Sequence, residues 1–207
     1  MAEQADQRRE AGHRTRNSLL AAVTGLLAQR DKAAVTLREV TESAGANVAA
    51  VSYHFGSLGA LCDAAIEQAL EQYLDAQSQA LERLGSDATV DQLAAAFAEP
   101  MMRALAAGGH DLMVIRTVAR AGIEPPPGWD RLAGKFGGTR RHALRVLAAR
   151  VPGVDQEELV FRLRCAAGLL NWLAVAPVGA DLATRSPAEI ERLVVAVVSG
   201  ALRGNAV

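Results

Sequence analysis

The stretch that decides the fold is residues 36–55, TLREVTESAGANVAAVSYHF. Thr36 and Glu39 stand at the spacing of a capping box, in which the threonine hydroxyl accepts from the third amide and the glutamate reaches back to the cap. A short helix is therefore predicted to begin after Thr36. Gly45 lies at the right distance to end it, because glycine adopts the left-handed conformation without steric cost. Asn47 is predicted to cap a second short helix that runs to the end of the stretch.

Two short helices joined by a tight glycine turn are the pattern of a helix-turn-helix, whose second helix enters the DNA major groove. Leu37, Val40 and Val51 are spaced to pack the two helices together. The remaining outward positions, which we call the reading face, are Asn47, Val48, Ala49, Ser52 and Tyr53. The pattern predicts that these side chains meet DNA.

The rest of the chain also carries helical periodicity. Apolar residues predict a first helix from about 13 to 30, and a longer one from 58 to about 85. Residues 1–12 are polar and predicted to form a mobile arm, with Arg8 and Arg9 within reach of phosphates, although a plain disordered tail is favoured. Further helices are predicted at about 89–107, 110–122, 129–150, 155–176 and 187–203, with a loop at 125–128 and a loop-like interruption at 134–138.

Composition agrees with an all-α class, since half of the 207 residues are apolar and only 4% are aromatic. The net charge of −1 gives no hint of nucleic-acid binding, and the first 60 residues hold seven Lys/Arg against six acids. Cys62 and Cys165 are predicted to be reduced and buried. No apolar run is long enough for a membrane span, so we expect a cytoplasmic protein without a membrane partner.

A search for chemistry finds four histidines without cysteine or carboxylate neighbours at metal-ligand spacing. The sequence also lacks a dinucleotide-binding glycine motif, a phosphate-binding loop and a nucleophile elbow. We therefore expect no catalytic residues, no metal, no cofactor and no enzymatic activity.

Residues 36–61 resemble the TetR family of transcriptional regulators. The most specific part of the resemblance is Tyr53-His54-Phe55-Gly56-Ser57, followed by Ala60-Leu61. The resemblance implies that Tyr53, His54 and Thr36 contact phosphates and that Ser57 belongs to the DNA-binding set. It also implies that Phe55 anchors the second helix, and that Arg38 reaches a base edge or a phosphate.

Three positions depart from the family pattern. Leu58 stands where members usually carry a phosphate-binding lysine, Ser52 where many carry tyrosine, and Thr41 where a small alanine is usual. These departures concern the affinity for DNA rather than the fold.

The resemblance implies about nine helices in two domains. Residues 1–57 would hold the arm and the three-helix DNA-binding domain, and 58–207 a helical domain for effector binding and dimerisation. The implied function is a ligand-responsive regulator, in the first place a repressor. It would bind a palindromic double-stranded operator as a homodimer and be released by a small, largely apolar effector. The alternative is a helical DNA-binding adaptor without an effector.

The effector site is predicted where flexible and aromatic side chains are concentrated, in segment 97–136. The chosen candidates are Met102, Met113, Arg116, Arg120, Trp129 and Phe136. For each apolar candidate taken alone, a place in the ordinary core is the favoured interpretation. Either arginine could orient an anionic or carbonyl group, or pair with Glu124 or solvent instead.

The last two helices look too apolar for a monomer and are predicted to form a four-helix dimer interface. Their small and aliphatic residues are Ala166, Ala167, Leu169, Leu170, Leu173, Val194, Val195, Val197, Val198 and Leu202. Burial within a single chain is the alternative.

Overall fold

The computed structural model describes residues 2–121, 128–176 and 185–204, and all of the regular structure within them is helical. The α-helices in these ranges are α1 Ala2–Leu27, α2 Leu37–Ala44, α3 Val48–Phe55, α4 Leu58–Glu82, α5 Val90–Ala107, α6 Gly109–Ala121, α7 Trp129–Arg150, α8 Gln156–Val175 and α9 Pro187–Arg203. One turn of 3-10 helix, Lys32–Ala34, lies between α1 and α2. The all-α class is confirmed, and α2 to α9 begin and end within a few residues of the predicted bounds.

Local capping explains why α2 and α3 begin and end where they do. The Thr36 hydroxyl accepts from the Glu39 amide at 3.4 Å, and the Glu39 carboxylate accepts from the Thr36 amide at 3.1 Å. Gly45 ends α2 in the left-handed conformation, with φ 60° and ψ 33°. The Asn47 side-chain oxygen accepts from the Ala50 amide at 2.9 Å. The predicted capping box, glycine stop and asparagine cap are all confirmed.

The first core packs the helix-turn-helix against α1 and the start of α4. Val40 and Val51 are fully buried between α2 and α3, as their spacing predicts, and Leu37 packs against the same cluster. The other fully buried members include Leu19, Val23 and Leu61, from α1 and α4. Burying a branched aliphatic side chain contributes about 1.5–3 kcal/mol, so this cluster fixes the angle of α3 relative to its supports.

The second core lies among α4, α5, α6, α7, α8 and α9. Leu93, Met101, Leu147, Leu170 and Leu202 are buried at its centre. The helix α4 belongs to both cores, because Leu61 to Ile66 pack in the first and Ala80 and Leu81 in the second. A continuous helix of 25 residues therefore connects the helix-turn-helix to the rest of the chain.

Two predictions about local structure were wrong. Helix α1 begins at Ala2, so residues 2–12 are helical rather than an arm. They are rich in alanine, glutamate, glutamine and arginine, which extend an existing helix without an apolar face. Helix α7 also continues through 134–138, since Leu132, Val146 and Leu147 bury one face of it and outweigh the low propensity of its glycines. The predicted loop at 125–128 lies largely outside the described residues, as does Glu124.

Candidate nucleic-acid interface

The reading face of α3 is open to solvent along its whole length. Tyr53 is 84% exposed, Val48 is 51% exposed, and Asn47, Ala49 and Ser52 are also exposed. Tyr53 and Val48 are among the large apolar side chains that the described part of the chain leaves exposed. The five side chains of the reading face are therefore accessible to a binding partner.

The ends of α3 hold further candidate DNA contacts in fixed positions. Asn47 uses its side-chain oxygen as the cap of α3, which leaves its amide group as a donor. Ser57 likewise accepts from the Ala60 amide at 3.1 Å and caps α4. His54 is half-buried, and its ring makes an edge contact with Tyr53 at 4.9 Å between centroids. The structure therefore brings these predicted residues to one surface.

Two predicted contacts on α2 already have partners within the chain. The Thr36 hydroxyl donates to a Glu39 carboxylate oxygen at 2.6 Å. This hydrogen bond is the main cause of the lowered pKa of Glu39, and the hydrogen bond from Arg30 is the second cause. Arg38 is 85% exposed and donates to Glu42 at 2.7 Å. Arg38 would have to exchange Glu42 for a phosphate or base to bind DNA.

The first half of α1 lies against the end of α3, which the sequence patterns did not indicate. The Arg16 guanidinium lies 5.1 Å from the centre of the Phe55 ring, a cation–π distance. A Cβ on Gly12 would lie 3.9 Å from His54 Cε1, so α1 passes close to the end of α3 at this point. Phe55 is half-buried against the first core, as the anchoring role implies. No rule of spacing relates residues 16 and 55, because only the tertiary fold brings them together.

The positive charges around the interface are unevenly distributed. The sequence holds no lysine or arginine from residue 39 to residue 82, which includes all of α3. The cations near the interface are therefore Arg38 and the arginines of α1, of which Arg9, Arg14 and Arg16 are exposed. Neutralising phosphates would fall mainly to α1 and α2, flanking an uncharged reading face.

An exposed, capped helix-turn-helix joined by a long helix to a second helical core is the arrangement of a helical DNA-binding protein. Residues 19–65 match the model of the bacterial regulatory proteins of the tetR family. Residues 95–200 match the model of the tetracyclin repressor-like C-terminal domain. The chain belongs to the TetR family, and it is a ligand-responsive, DNA-binding transcriptional regulator.

Solved structures agree with this fold. The TetR family transcriptional regulator PfmR from Thermus thermophilus is similar, with a TM-score of 0.58 and 20% identity over 90% of this chain and 97% of that one. A TetR-family regulator from Streptomyces coelicolor gives a TM-score of 0.50 and 20% identity over 93% and 96%. Comparison with curated proteins gives no significant match.

Regulators of this family are generally not enzymes. Within residues 2–121, 128–176 and 185–204, no three histidine, cysteine or acidic side chains are arranged to hold a metal ion. Over the same ranges no helix is both long enough and apolar enough to cross a membrane.

The structure scatters the six predicted effector residues. Met102 is half-buried in the second core, and the Met113 sulfur packs 3.5 Å from where a Cβ on Gly25 would lie. Trp129 lies at the exposed start of α7 and Phe136 is half-buried further along it. Their roles in binding remain predictions.

The two predicted arginines on α6 hold backbone carbonyls of other helices. Arg116 Nε donates to the Ala174 carbonyl in the last turn of α8 at 3.3 Å, and Arg120 Nε donates to the Ala28 carbonyl just after α1 at 3.2 Å. Carbonyls at a helix end lack intrahelical partners and carry negative partial charge, so cationic donors suit them.

Two clefts flank the contact between α4 and α6, and none of the six predicted effector residues lines either. The larger, of about 670 Å³, lies between α4, α5 and α6 and is lined by Gln72, Tyr73, Ala76, Pro100, Arg103, Ala104, Ala106, Ala107, Asp111, Val114 and Ile115. The smaller, of about 200 Å³, lies between α1, α4 and α6 and includes Asn17, Gln68 and His110. Gln72 and Val114 line both. A cleft of several hundred Å³ is the size that small-molecule sites usually have.

The larger cleft combines apolar walls with a few polar groups. Burial raises the pKa of Tyr73 to about 12, so its phenol is neutral at physiological pH. The Tyr73 oxygen accepts from Gln77 at 3.0 Å, and Gln77 also donates to the Phe97 carbonyl at 3.3 Å. In this bond the Tyr73 oxygen is the acceptor, so the hydroxyl proton is not used by Gln77. Arg103 and Asp111 supply the charged groups of the lining.

The last two helices present apolar side chains to solvent. Phe161 and Trp172 on α8 are 63% and 64% exposed, and Leu193 and Val197 on α9 are exposed as well. Cys165, predicted to be buried, is exposed on the same side of α8, one turn after Phe161. We call these five side chains the outer face of α8 and α9.

Half of the ten small and aliphatic residues predicted for the interface are buried inside this chain instead. Ala166, Leu170, Val194, Val198 and Leu202 are all buried in the second core. Helical periodicity locates an apolar stripe, but it does not distinguish a stripe buried against the same chain from one buried against a partner.

Proposed function

We propose that the chain is a repressor that binds a palindromic operator as a homodimer through α3 and is released by a small, largely apolar effector. The observation that carries the proposal is the open surface of α3, whose reading face is exposed while Val51 on its opposite side is fully buried. A helix that is packed against its own domain on one side and exposed on the other can enter a major groove.

The proposed dimer uses the outer face of α8 and α9. Exposed phenylalanine, tryptophan, leucine and valine on adjacent helices form an apolar surface of the kind that monomeric proteins usually cover. A second copy of this chain related by a two-fold axis would cover it with the same surface. Such a dimer would also present two α3 helices to successive major grooves, about 34 Å apart.

The proposed effector site is the larger cleft between α4, α5 and α6. Its alanine, proline, valine and isoleucine side chains suit an apolar ligand, and the Tyr73 hydroxyl suits a carbonyl or ether oxygen on it. The cleft therefore replaces the scattered methionine and aromatic residues as the place where we expect binding.

The proposed coupling runs through α4 and α6, which form walls of both clefts. Helix α4 begins directly after Ser57 and continues from the helix-turn-helix into the effector region. Helix α6 is bonded to α1 through Arg120 and through the buried Thr117 hydroxyl, which donates to the Thr24 carbonyl at 3.1 Å. A ligand that favours another position of these helices would change the spacing of the two α3 helices. A coupling free energy of about 1–3 kcal/mol is typical.

Selection from random duplexes with the full chain tests the DNA part of this proposal. We expect enrichment of a duplex with two symmetry-related half-sites, and tight binding of that duplex in fluorescence anisotropy. The control is Tyr53→Ala, which should keep a native circular dichroism spectrum and enrich the duplex much more weakly. Enrichment of asymmetric sites, or equal enrichment by the control, contradicts the proposed binding mode.

Filling the cleft tests the effector part. Ala107 lies at the exposed end of α5 in the cleft lining, so Ala107→Trp should fill the site without disturbing the core. Ala149→Trp on the exposed side of α7 is the matched control. Compounds from a small-molecule library that release the wild type and the control from the operator should not release Ala107→Trp. If compounds that release the wild type release Ala107→Trp equally well, the effector site lies outside this cleft.

A further inference from the structure

Apart from Asn47, the reading face lacks the side chains that discriminate guanine, cytosine or adenine by hydrogen bonding. Guanine is read chiefly by arginine or lysine, cytosine by glutamate or aspartate, and adenine by asparagine or glutamine. From Val48 to Phe55 the helix holds no basic, acidic or amide side chain apart from His54, which is half-buried. The usual polar readers are thus missing from α3.

Asn47 does not fill this gap. A bidentate contact to adenine needs both the oxygen and the amide group of the side chain. The Asn47 oxygen accepts from the Ala50 amide at 2.9 Å as the cap of α3. Only the amide group remains, and a single donor can serve a phosphate as well as a base.

Hydrocarbon groups occupy the positions closest to the bases instead. In a helix-turn-helix the N-terminal residues of the second helix contact the base edges. Here these residues are Val48 and Ala49, the first two of α3, and both are exposed. Apolar side chains in the major groove recognise the 5-methyl group of thymine, which the other bases lack.

We propose that Val48 and Ala49 are specificity-determining residues that select thymine in each half-site through its 5-methyl group. This inference rests on the proposed operator binding. It specifies that each half-site of the operator contains thymine at the position that α3 contacts. The hydroxyls of Ser52 and Tyr53 add contacts that tolerate several bases or reach phosphates. The selectivity of α3 comes from methyl contacts, while the arginines of α1 supply attraction to the backbone.

Uracil substitution tests the proposal, because uracil pairs like thymine but lacks the methyl group. In the selected duplex, thymine is replaced by uracil one symmetric pair of positions at a time, and anisotropy gives the affinity. At the contacted pair of positions we expect about a 15-fold loss of affinity. One methyl group is removed from each of the two half-sites, and each buried methyl contributes roughly fourfold to the affinity. Uracil at thymines outside the two half-sites is the matched control and should have no effect.

A double-mutant cycle assigns the effect to Val48. The variant Val48→Ala removes two exposed methyl groups and leaves α3 helical, because alanine has the highest helix propensity. It should bind the thymine duplex more weakly and lose most of its preference for thymine over uracil. The same preference in Val48→Ala and wild type overturns the role of Val48.

The outcomes separate this inference from the proposed function. A selected duplex that binds equally well with uracil at every half-site thymine overturns the methyl readout but leaves operator binding intact. Selected half-sites that contain no thymine likewise overturn the methyl readout and leave operator binding intact. If selection enriches no duplex, the proposed function fails, and the inference fails with it.

Discussion

At the scale of single residues, Tyr53 and Arg38 differ in what each must give up to bind DNA. Tyr53 points into solvent, and among the described residues its ring contacts the His54 ring. Arg38 must first leave Glu42, to which it is bonded at 2.7 Å. Because both ions of that pair are well exposed, the pair itself adds little to stability. Glu42 therefore acts on DNA binding mainly as a competitor for the arginine.

These contacts lead to a first prediction. Tyr53→Ala and His54→Ala should weaken binding to all sequences, by about 1.5–3 kcal/mol per lost phosphate bond. Arg38→Ala should weaken it too and relax the preference at one base pair if the guanidinium reaches a base. Glu42→Gln is a control in the opposite direction. It removes the charge that competes for Arg38, so this variant should bind DNA more tightly than the wild type. Anisotropy on matched and mismatched duplexes measures all four; unchanged affinity in folded Tyr53 and Arg38 variants would move the interface elsewhere.

Leu58 allows a second prediction, which concerns salt. It is the first residue of α4 after the Ser57 cap, half-buried against the first core. Leu58→Lys should place a cation near a phosphate in each half-site and steepen the slope of log affinity against log salt by about 1.8. Leu58→Gln controls for the lost packing. Equal slopes for the lysine and glutamine variants would show that residue 58 does not face the backbone.

At the scale of the helices, local signals were enough to predict α2 and α3. Thr36, Gly45 and Asn47 act on neighbours within three or four residues, so their effects can be read from the sequence. The start of α1 and the continuity of α7 could not be predicted in this way. In α7 the decisive contacts are distant, because Leu132, Val146 and Leu147 are buried against other helices.

The capping box of α2 gives a third prediction, on pH. The Thr36 hydrogen bonds and the Arg30 pair lower the pKa of Glu39 below its ordinary value of 4.5. A carboxylate whose pKa is lower in the folded state stabilises above its unfolded pKa, and this stability is lost as pH falls through the folded pKa. Glu39→Gln can still cap the helix but carries no charge. Its melting temperature should lie below that of the wild type at pH 7, and the difference should shrink below pH 4.5. A difference that is independent of pH would contradict the role of the charge.

At the scale of the whole molecule, the effector cleft and the dimer surface were the least predictable features. Both depend on which helix faces are left uncovered after folding. Arg116 and Arg120 lie one turn apart in an apolar run, which favours a ligand role, yet the fold uses them to hold the ends of α8 and α1. Trp172 is at helical spacing from Phe161 and Cys165, but only the packed structure shows that this side of α8 is open.

Cys165 provides a fourth prediction, because it reports on the outer face of α8 and α9. In the proposed dimer its thiol is covered, so a maleimide should react slowly with the wild type. Trp172→Arg should yield monomers, since an unpaired charge at an apolar interface is costly, and Cys165 should then react rapidly. Trp129→Arg on α7 is the matched control and should stay dimeric and protected. Cys62 is buried, and this burial raises its pKa, so it should stay unreactive in each folded variant. Rapid labelling of the wild type would place the dimer interface elsewhere.

The central claim is that two copies of this chain, paired through α8 and α9, hold one operator through their α3 helices. Anisotropy titrations of the selected duplex at protein concentrations above the dissociation constant test it most directly. The account predicts saturation at two chains per duplex for the wild type, and at least about a tenfold loss of affinity for both Tyr53→Ala and Trp172→Arg, since each removes contacts worth more than about 1.4 kcal/mol. Saturation at one chain, or wild-type affinity in both folded variants, would contradict it.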